Sequence, residues 1–583
     1  MSEPCNIAAA LPRLARERPA QVAMRCPGRG GRYGVALTYA QLDARSDAIA
    51  AGLAMRGIVR GTRTVVMVRP TPEFFLAMFA LFKAGAVPVL VDPGIDKRAL
   101  KQCLDEAQAD AFIGIPLAML AKALLGWAKS ARTSITTGSR ALLADATLAD
   151  IERDGANAPS QLANTQPDDI AAILFTSGST GVPKGVVYRH RHFVAQIAML
   201  RDAFGIEAGG IDLPTFPPFA LFDPALGLTS IIPDMDPTRP ARANPRKLHA
   251  AIERFGVDQL FGSPALMRVL ADHGAALPTV KRATSAGAPV PPGVVAKMLQ
   301  LLPDDARFWT PYGATECLPV AAIEGRELLS LRERTEAGAG TCVGRPVPPN
   351  EVRIIRIGDE AIAEWSEALL VGAGQVGEIT VAGPSATDAY WNRDAQTRLA
   401  KIREALPDGG ERIVHRMGDL GWFDGEGRLW FCGRKSQRVV VDASTTLCTE
   451  QVEPVFNAHP DVARSALVGV PRAAGEKRLE LSRGGDGALR HAAHAAGQRP
   501  LLCVELRRGV DAKEWPRIAG ELRHLADGLV HTAKVEGFLR YPKPFPVDIR
   551  HNAKIGREKL AAWAAKNLSP SLPPQAKGRV GEG

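Results

Sequence analysis

The spacing of apolar positions changes repeatedly along the chain, and each change predicts an element. Over residues 41–56 apolar side chains recur at helical spacing, and residues 64–68 follow as a short apolar strand. Residues 74–83 read as a second helix and 87–91 as a second buried strand, closed by Asp92-Pro93. This rhythm over residues 1–165 predicts a largely parallel sheet covered by helices. Residues 128–165 are polar and rich in Ala, Ser and Thr, and are expected to form a surface excursion. The apolar run at 173–175 then breaks into small and hydroxyl residues. A second strand is expected over 185–188, and a helix opens near His190 and His192.

Further strand ends fall at 260–264, 284–289, 308–317, 377–381 and 416–421. Residues 422–430 read as a hairpin turning at Asp424-Gly425 or Glu426-Gly427. After Gly433 the pattern becomes that of a smaller α+β unit, with a helix over 450–459 and strands over 463–470 and 501–505. Residues 471–500 are expected to be a mobile loop, and the chain from Ser569 onward a frayed tail.

Composition narrows the class. The 583 residues, 46% of them hydrophobic, suit a globular protein with several cores. The net charge of +10 is spread out and not interleaved with aromatics, which argues against nucleic acid and fits an anionic ligand, or a generic basicity loosely attracted to an acidic surface or partner. Eight cysteines without a C-x-x-C pair fit no zinc site or disulfide framework and suggest a reducing cytoplasm. The N-terminus carries no signal-type apolar core. The most apolar run, 74–91, is interrupted by Lys83, Gly85 and Pro88, so it reads as buried elements, not a membrane span.

Candidate chemistry concentrates in ILFTSGSTGVPKGVVYRH, residues 173–190. Thr176, Ser177, Ser179 and Thr180 supply hydroxyls, while Gly178, Gly181 and Gly185 allow a tight curl. Lys184 adds a mobile charge. Such a loop is built to hold phosphate. It is not G-x-x-x-x-G-K-[ST]: counting from Gly178, Pro183 stands at the second glycine and Gly185 at the hydroxyl position.

TSGSTGVPKG resembles the signature loop of the adenylate-forming superfamily of acyl-CoA synthetases, peptide-synthetase adenylation domains and luciferases. The resemblance implies ATP and Mg2+, with Thr176, Ser177, Gly178, Ser179, Thr180 and Lys184 at the β- and γ-phosphates. Tyr312-Gly-Ala-Thr-Glu316 is similar to the family's Y-G-x-T-E. By that likeness Tyr312 lies against adenine, Thr315 bonds the α-phosphate and Glu316 holds the metal. Gly287, Ala288 and Pro289 would line the adenine, Asp419 would grip the ribose, and Arg434 would reach ribose or phosphate. Met417 stands where the family has threonine. Lys554, with Pro546 upstream and Ala553 in place of a glycine, would bridge carboxylate and α-phosphate. Singly, each is an unremarkable core or surface residue; their order over nearly 400 residues carries the likeness.

The implied fold is an α/β body over 1–433, a mobile α+β lid over 434–565 carrying Lys554, and a flexible tail over 566–583. Ala443 stands near a glycine that admits the thiol arm in acyl-CoA synthetases, and Ser436 is at the usual hinge. The stretches FPPFALFDPALGL (216–228), IIPDMDPTRP (231–240) and RHNAK (550–554) resemble the olefin β-lactone synthetases. That subfamily implies a long-chain 2-alkyl-3-hydroxy fatty acid, activated as acyl-AMP and closed by its own hydroxyl. Phe216, Phe219, Leu221, Phe222, Leu226 and Leu228 suit a pocket for two alkyl arms as well as they suit ordinary core. A thiolase-like condensing enzyme, a reductase and an α/β-hydrolase are the partners this implies. The alternatives are a long-chain acyl-CoA or acyl-carrier ligase, and an inactive adenylation-fold scaffold.

Overall fold

The computed structural model describes residues 5–92, 94–159, 162–176, 183–472, 497–547 and 555–568. The chain divides into two compact units. One holds the described residues of Met1–Glu333 and Thr341–Ser436, the other those of Arg334–Gly340, Gln437–Asp548 and Lys554–Gly583.

The larger unit begins with helix α1 (Tyr39–Met55), whose first turn is closed by a reciprocal cap between Thr38 and Gln41. Strands β1 (Arg63–Met67) and β2 (Val87–Val91) flank α2 (Pro72–Lys83), and α3 (Lys97–Glu106) leads to β3 (Ala111–Gly114). Then come α4 (Pro116–Leu125), β4 (Thr133–Thr136), β5 (Ala146–Thr147), α5 (Leu148–Gly155), β6 (Ile170–Thr176), β7 (Lys184–Arg189) and α6 (His190–Phe204). The strands form one sheet in the order β5-β4-β3-β1-β2-β6-β7, parallel except for β7. Side chains of α1, α2 and α5 build the core on one face, and those of α3 and α4 the core on the other.

The expected surface excursion over 128–165 is therefore corrected, because β4, β5 and α5 extend the sheet and one of its helical layers. Thr133, Ser134 and Thr136 make β4 look polar, yet Ser134, Ile135 and Thr136 are all buried. A short strand of hydroxyl residues gives no apolar signal. Helix α5 is fixed by a cap in which Thr147 and Asp150 bond each other.

A second sheet of fourteen strands follows, built on β8 (Ile211–Pro214), β9 (Thr229–Ile231), β10 (Gln259–Gly262) and β11 (Arg282–Ser285). It continues with β12 (Arg307–Ala314), β13 (Cys317–Glu324), β14 (Thr341–Pro346), β15 (Glu351–Ile355) and β16 (Gly377–Ala382). The last strands of this sheet are β17 (Lys401–Ala405), β18 (Glu411–Phe423) and β19 (Leu429–Arg434). The order is β15-β16-β18-β19-β14-β13-β12-β11-β10-β8-β9, then Val22–Cys26 and Val35–Thr38, with β17 on β18. In the β18–β19 hairpin the Gly427 amide donates to the Asp424 carbonyl across Gly425 and Glu426, and Gly427 closes the loop with φ 73°, so the turn spans both expected pairs.

The smaller unit carries β20 (Val462–Pro471), β21 (Gln498–Leu506) and β22 (Gly537–Arg540) in one sheet. It packs α7 (Thr449–Asn457), α8 (Trp515–Asp527) and α9 (Arg557–Asn567) on two apolar clusters. The β20–β21 ladder reaches Pro471 opposite Gln498, so both ends of the expected loop are strand. Its middle, residues 473–496, and the tail from Ser569 lie outside the described residues. Among the described residues no helix is long and apolar enough to cross a membrane.

Candidate active site

The Tyr312-Gly-Ala-Thr-Glu316 motif is the end of β12 and its hairpin turn into β13, with Ala314 paired to Cys317. The pairing slips between Tyr312 and Ala314. A Cβ at Gly313 would lie 2.9 Å from the Cys317 carbonyl oxygen, so a side chain there would push the turn open. The Tyr188 hydroxyl donates to the Thr315 carbonyl, and the Thr387 amide and hydroxyl both reach the Glu316 carbonyl at 2.9 Å. The turn is thus pinned from β7 and from the segment after β16.

Asp419 lies on β18 opposite Arg434 of β19. The Tyr312 hydroxyl donates to Asp419 Oδ2 at 2.6 Å. The Arg434 guanidinium is 2.9 Å from Oδ1 but off the hydrogen-bonding direction, so Oδ1 lacks an aligned donor. Burial raises the Asp419 carboxyl, a shift that Arg434 opposes. In turn Asp419 raises Arg434, and burial lifts Tyr312 well above an ordinary phenol. A buried carboxylate oxygen without an aligned donor suits a hydroxyl donor from a ligand.

Gly287 takes φ 99°, open to glycine at little cost, and with Ala288 and Pro289 it follows β11, the strand beside β12. Ser285 at the end of β11 has a buried hydroxyl without a partner. Thr176 ends β6 opposite Lys184, the first residue of β7. Ser177, Gly178, Ser179 and Thr180, and likewise Lys554, lie outside the described residues.

Sequence reasoning missed Tyr390, Thr387 and Lys401. Residues 389–391 add to the edge of β7: Tyr390 bridges Val186, the Trp391 amide donates to Gly185 O at 2.7 Å, and Val187 to Ala389 O. This brings the Tyr390 hydroxyl to Glu316 Oε1 at 2.7 Å and its ring face to the Lys184 ammonium at 4.9 Å. No other hydrogen bond among the described residues reaches the Glu316 carboxylate, which leaves Oε2 for a hard cation such as Mg2+. Lys401 is buried, donates to the Thr387 carbonyl and hydroxyl, and is lowered to about 8 by burial, which nearby Glu316 opposes.

Arg189 and Arg191 each bond Asp388 at 2.6 Å. Burial alone would raise Asp388, but His192 and Arg191 hold it well below the usual carboxylate range. His192 Nδ1 accepts from the Arg189 amide, and His190 is buried with both ring nitrogens unpartnered and its pKa lowered to about 4 by burial. Both histidines open α6.

Leu221, Phe222, Leu226 and Leu228 are core residues. Phe216 and Phe219 stand partly exposed, edge to face at 5.2 Å, with Phe261 of β10 4.6 Å beyond. In the smaller unit His459, Asp461 and Glu521 lie together, but Arg517 binds Asp461 at 2.8 Å and both Glu521 oxygens, so a guanidinium already supplies the cation there.

Lys184 opposite the end of β6, buried Asp419 on β18 and Glu316 in the β12–β13 turn are groups of the kind that the phosphates and ribose of a nucleotide call for. The chain belongs to the AMP-binding enzyme family, whose pattern matches residues 11–391. It is 68% identical over 571 residues to the olefin β-lactone synthetase of Xanthomonas campestris pv. campestris, covering 97% of this chain and 98% of that one. It is 65% identical over 574 residues to the olefin β-lactone synthetase of Stenotrophomonas maltophilia, covering 97% and 99%. The amide bond synthetase of Marinactinospora thermotolerans shares the fold, with a TM-score of 0.72 at 22% identity over 96% of this chain and 99% of that one.

Proposed function

We propose that this protein is an ATP-dependent olefin β-lactone synthetase acting in the cytoplasm. The carboxylate of a long-chain 2-alkyl-3-hydroxy fatty acid attacks the α-phosphorus of ATP, and pyrophosphate leaves. The β-hydroxyl oxygen then attacks the acyl carbon, the bond to AMP breaks, the hydroxyl proton is released, and a β-lactone and AMP result. The observation that carries this reading is the near-full-length identity to two proteins so named.

The first step brings a carboxylate against the phosphates of ATP, so charge must be managed between anions. Asp419 Oδ1 takes a ribose hydroxyl, while Tyr312 and the Gly287–Pro289 backbone border the base. Lys184 and the hydroxyls of 176–180 would serve the outer phosphates, and the charge of Lys554 would offset the repulsion between carboxylate and α-phosphate. Glu316 would hold Mg2+, and that ion would supply positive charge to the phosphates. Ring closure is intramolecular, so proximity offsets part of the strain of a four-membered ring. Phe216, Phe219 and Phe261 offer apolar surface to an alkyl arm.

The competing reading, an acyl-CoA ligase, predicts a different dependence. Incubation with ATP, Mg2+ and a 2-alkyl-3-hydroxy acid should yield β-lactone and AMP without CoA. A strict CoA requirement for AMP release would overturn the lactone reading.

A further inference from the structure

We propose that a leucine ridge on α4, with the Leu142-Leu143 loop beside it, seats this protein on an anionic lipid surface. Helix α4 reads PLAMLAKALL, and its inner face, Ala118 and Met119, belongs to the core. Leu117, Leu120 and Leu124 recur at helical spacing on the opposite face and, with Leu125, are 43–74% exposed. Leu142 and Leu143 are 72% and 59% exposed. Their loop rests on the start of α4, since a Cβ at Gly138 would lie 2.6 Å from Pro116 Cγ. Leu143 also takes φ 59°, a left-handed conformation that is strained for leucine. Six of the fifteen exposed large apolar side chains among the described residues fall within residues 117–143, on α4 and on the loop that meets its start, a concentration and not an even scatter.

Charge selects the occupant. Lys129 lies against Gly126 at one end of the ridge, its Cε 2.9 Å from where a Cβ would stand. Arg140 precedes Leu142 by two residues at the other end. Both are exposed, and neither has an ion pair among the described residues. The acid of this loop, Asp145, accepts from the Ser134 amide at 2.7 Å. The exposed side chains of the ridge itself are aliphatic, without the Trp or Tyr that anchor protein interfaces. An apolar ridge with cations at both ends, on a chain of net charge +10, has the makings of a segment that lies in a lipid interface. Ten residues of helix are too short to span a bilayer, so the segment lies on the surface.

The test is flotation of the full-length protein with vesicles of phosphatidylcholine alone and of phosphatidylcholine with phosphatidylglycerol. The protein should float with the anionic vesicles, and less so in high salt. Leu120→Glu/Leu124→Glu and, separately, Leu142→Glu/Leu143→Asn should each cut flotation about tenfold or more, since each removes buried apolar area and adds like charge. Both pairs are exposed, so the thermal midpoint should not fall, and Leu143→Asn, which suits the left-handed backbone, can only raise it, while the adenylation of a short, water-soluble acid should stay unchanged. That last readout also separates this proposal from the lactone reading. Wild-type protein remaining in solution with both vesicle types, or variants floating equally well, would overturn the proposal. So would light scattering that shows a wild-type dimer dissociated by Leu120→Glu/Leu124→Glu, because a second copy would then be the occupant.

Discussion

Tyr390 serves two neighbours with two parts of one side chain. Its hydroxyl holds Glu316 Oε1, and its ring face receives the Lys184 ammonium. Burial raises the phenol far above its ordinary value, so it remains a donor throughout the neutral range. Tyr390→Phe keeps the ring and removes only the donor. Bonds that support a metal ligand typically carry about 10- to 100-fold in activity or affinity, so ATP–pyrophosphate exchange should slow by about that factor. The Mg2+ concentration for half-maximal exchange should rise with it. Unchanged exchange and unchanged Mg2+ dependence would remove Tyr390 from this role. The sequence marks Lys184 and Glu316 by motif, but nothing local marks Tyr390. It reaches them only because residues 389–391 pair with β7, some 200 positions earlier in the chain, and pairing at that separation leaves no periodic trace.

At the scale of elements, α1 and α5 cross backbone to backbone. A Cβ at Gly52 would lie 2.0 Å from the Ile151 carbonyl oxygen, and one at Gly155 2.0 Å from that of Ala48. Neither contact has a flexible side chain to give way, so Gly155→Ala must spread the helices. Overpacking of this kind costs about 1–3 kcal/mol. The thermal midpoint should fall by a few degrees while ATP affinity of the folded protein holds, and an unchanged midpoint would show that the crossing is looser than drawn. Apolar recurrence made α1 and α2 legible in the sequence. It failed for β4 and α5, a four-residue strand of mostly hydroxyl side chains and an eight-residue helix that buries little beyond Leu148 and Ile151. These elements are held by a cap and by neighbours, neither of which repeats.

Over the whole molecule, one buried carboxyl pair should add a falling component to stability as pH rises. Asp212 of β8 and Asp223, just after the phenylalanine stretch, are both raised by burial. Asp223 also accepts from the Ser230 hydroxyl. Unfolded carboxyls ionise near pH ~4. Above that, and up to the raised values, these two carboxyls hold more protons in the folded chain than in the unfolded one, so their contribution to stability declines as pH rises. Asp223→Asn keeps shape and removes the charge. Thermal unfolding across pH should show a flatter decline and a higher midpoint at neutral and alkaline pH. A variant that tracks wild type at every pH would mean that the pair carries no such linkage. The layout of the two sheets in the larger unit was only half legible. The parallel strands announced themselves as apolar runs, whereas the antiparallel continuation from β13 to β19 is partly polar and is ordered by long-range pairing.

The leucine ridge changes what concentration means for this protein. An enzyme resting on lipid meets a long-chain acid dissolved in the same leaflet, so collisions are counted per unit area. Velocity then follows the mole fraction of substrate among the lipids, and adding inert lipid at constant total substrate slows turnover by surface dilution, with no change in any binding site.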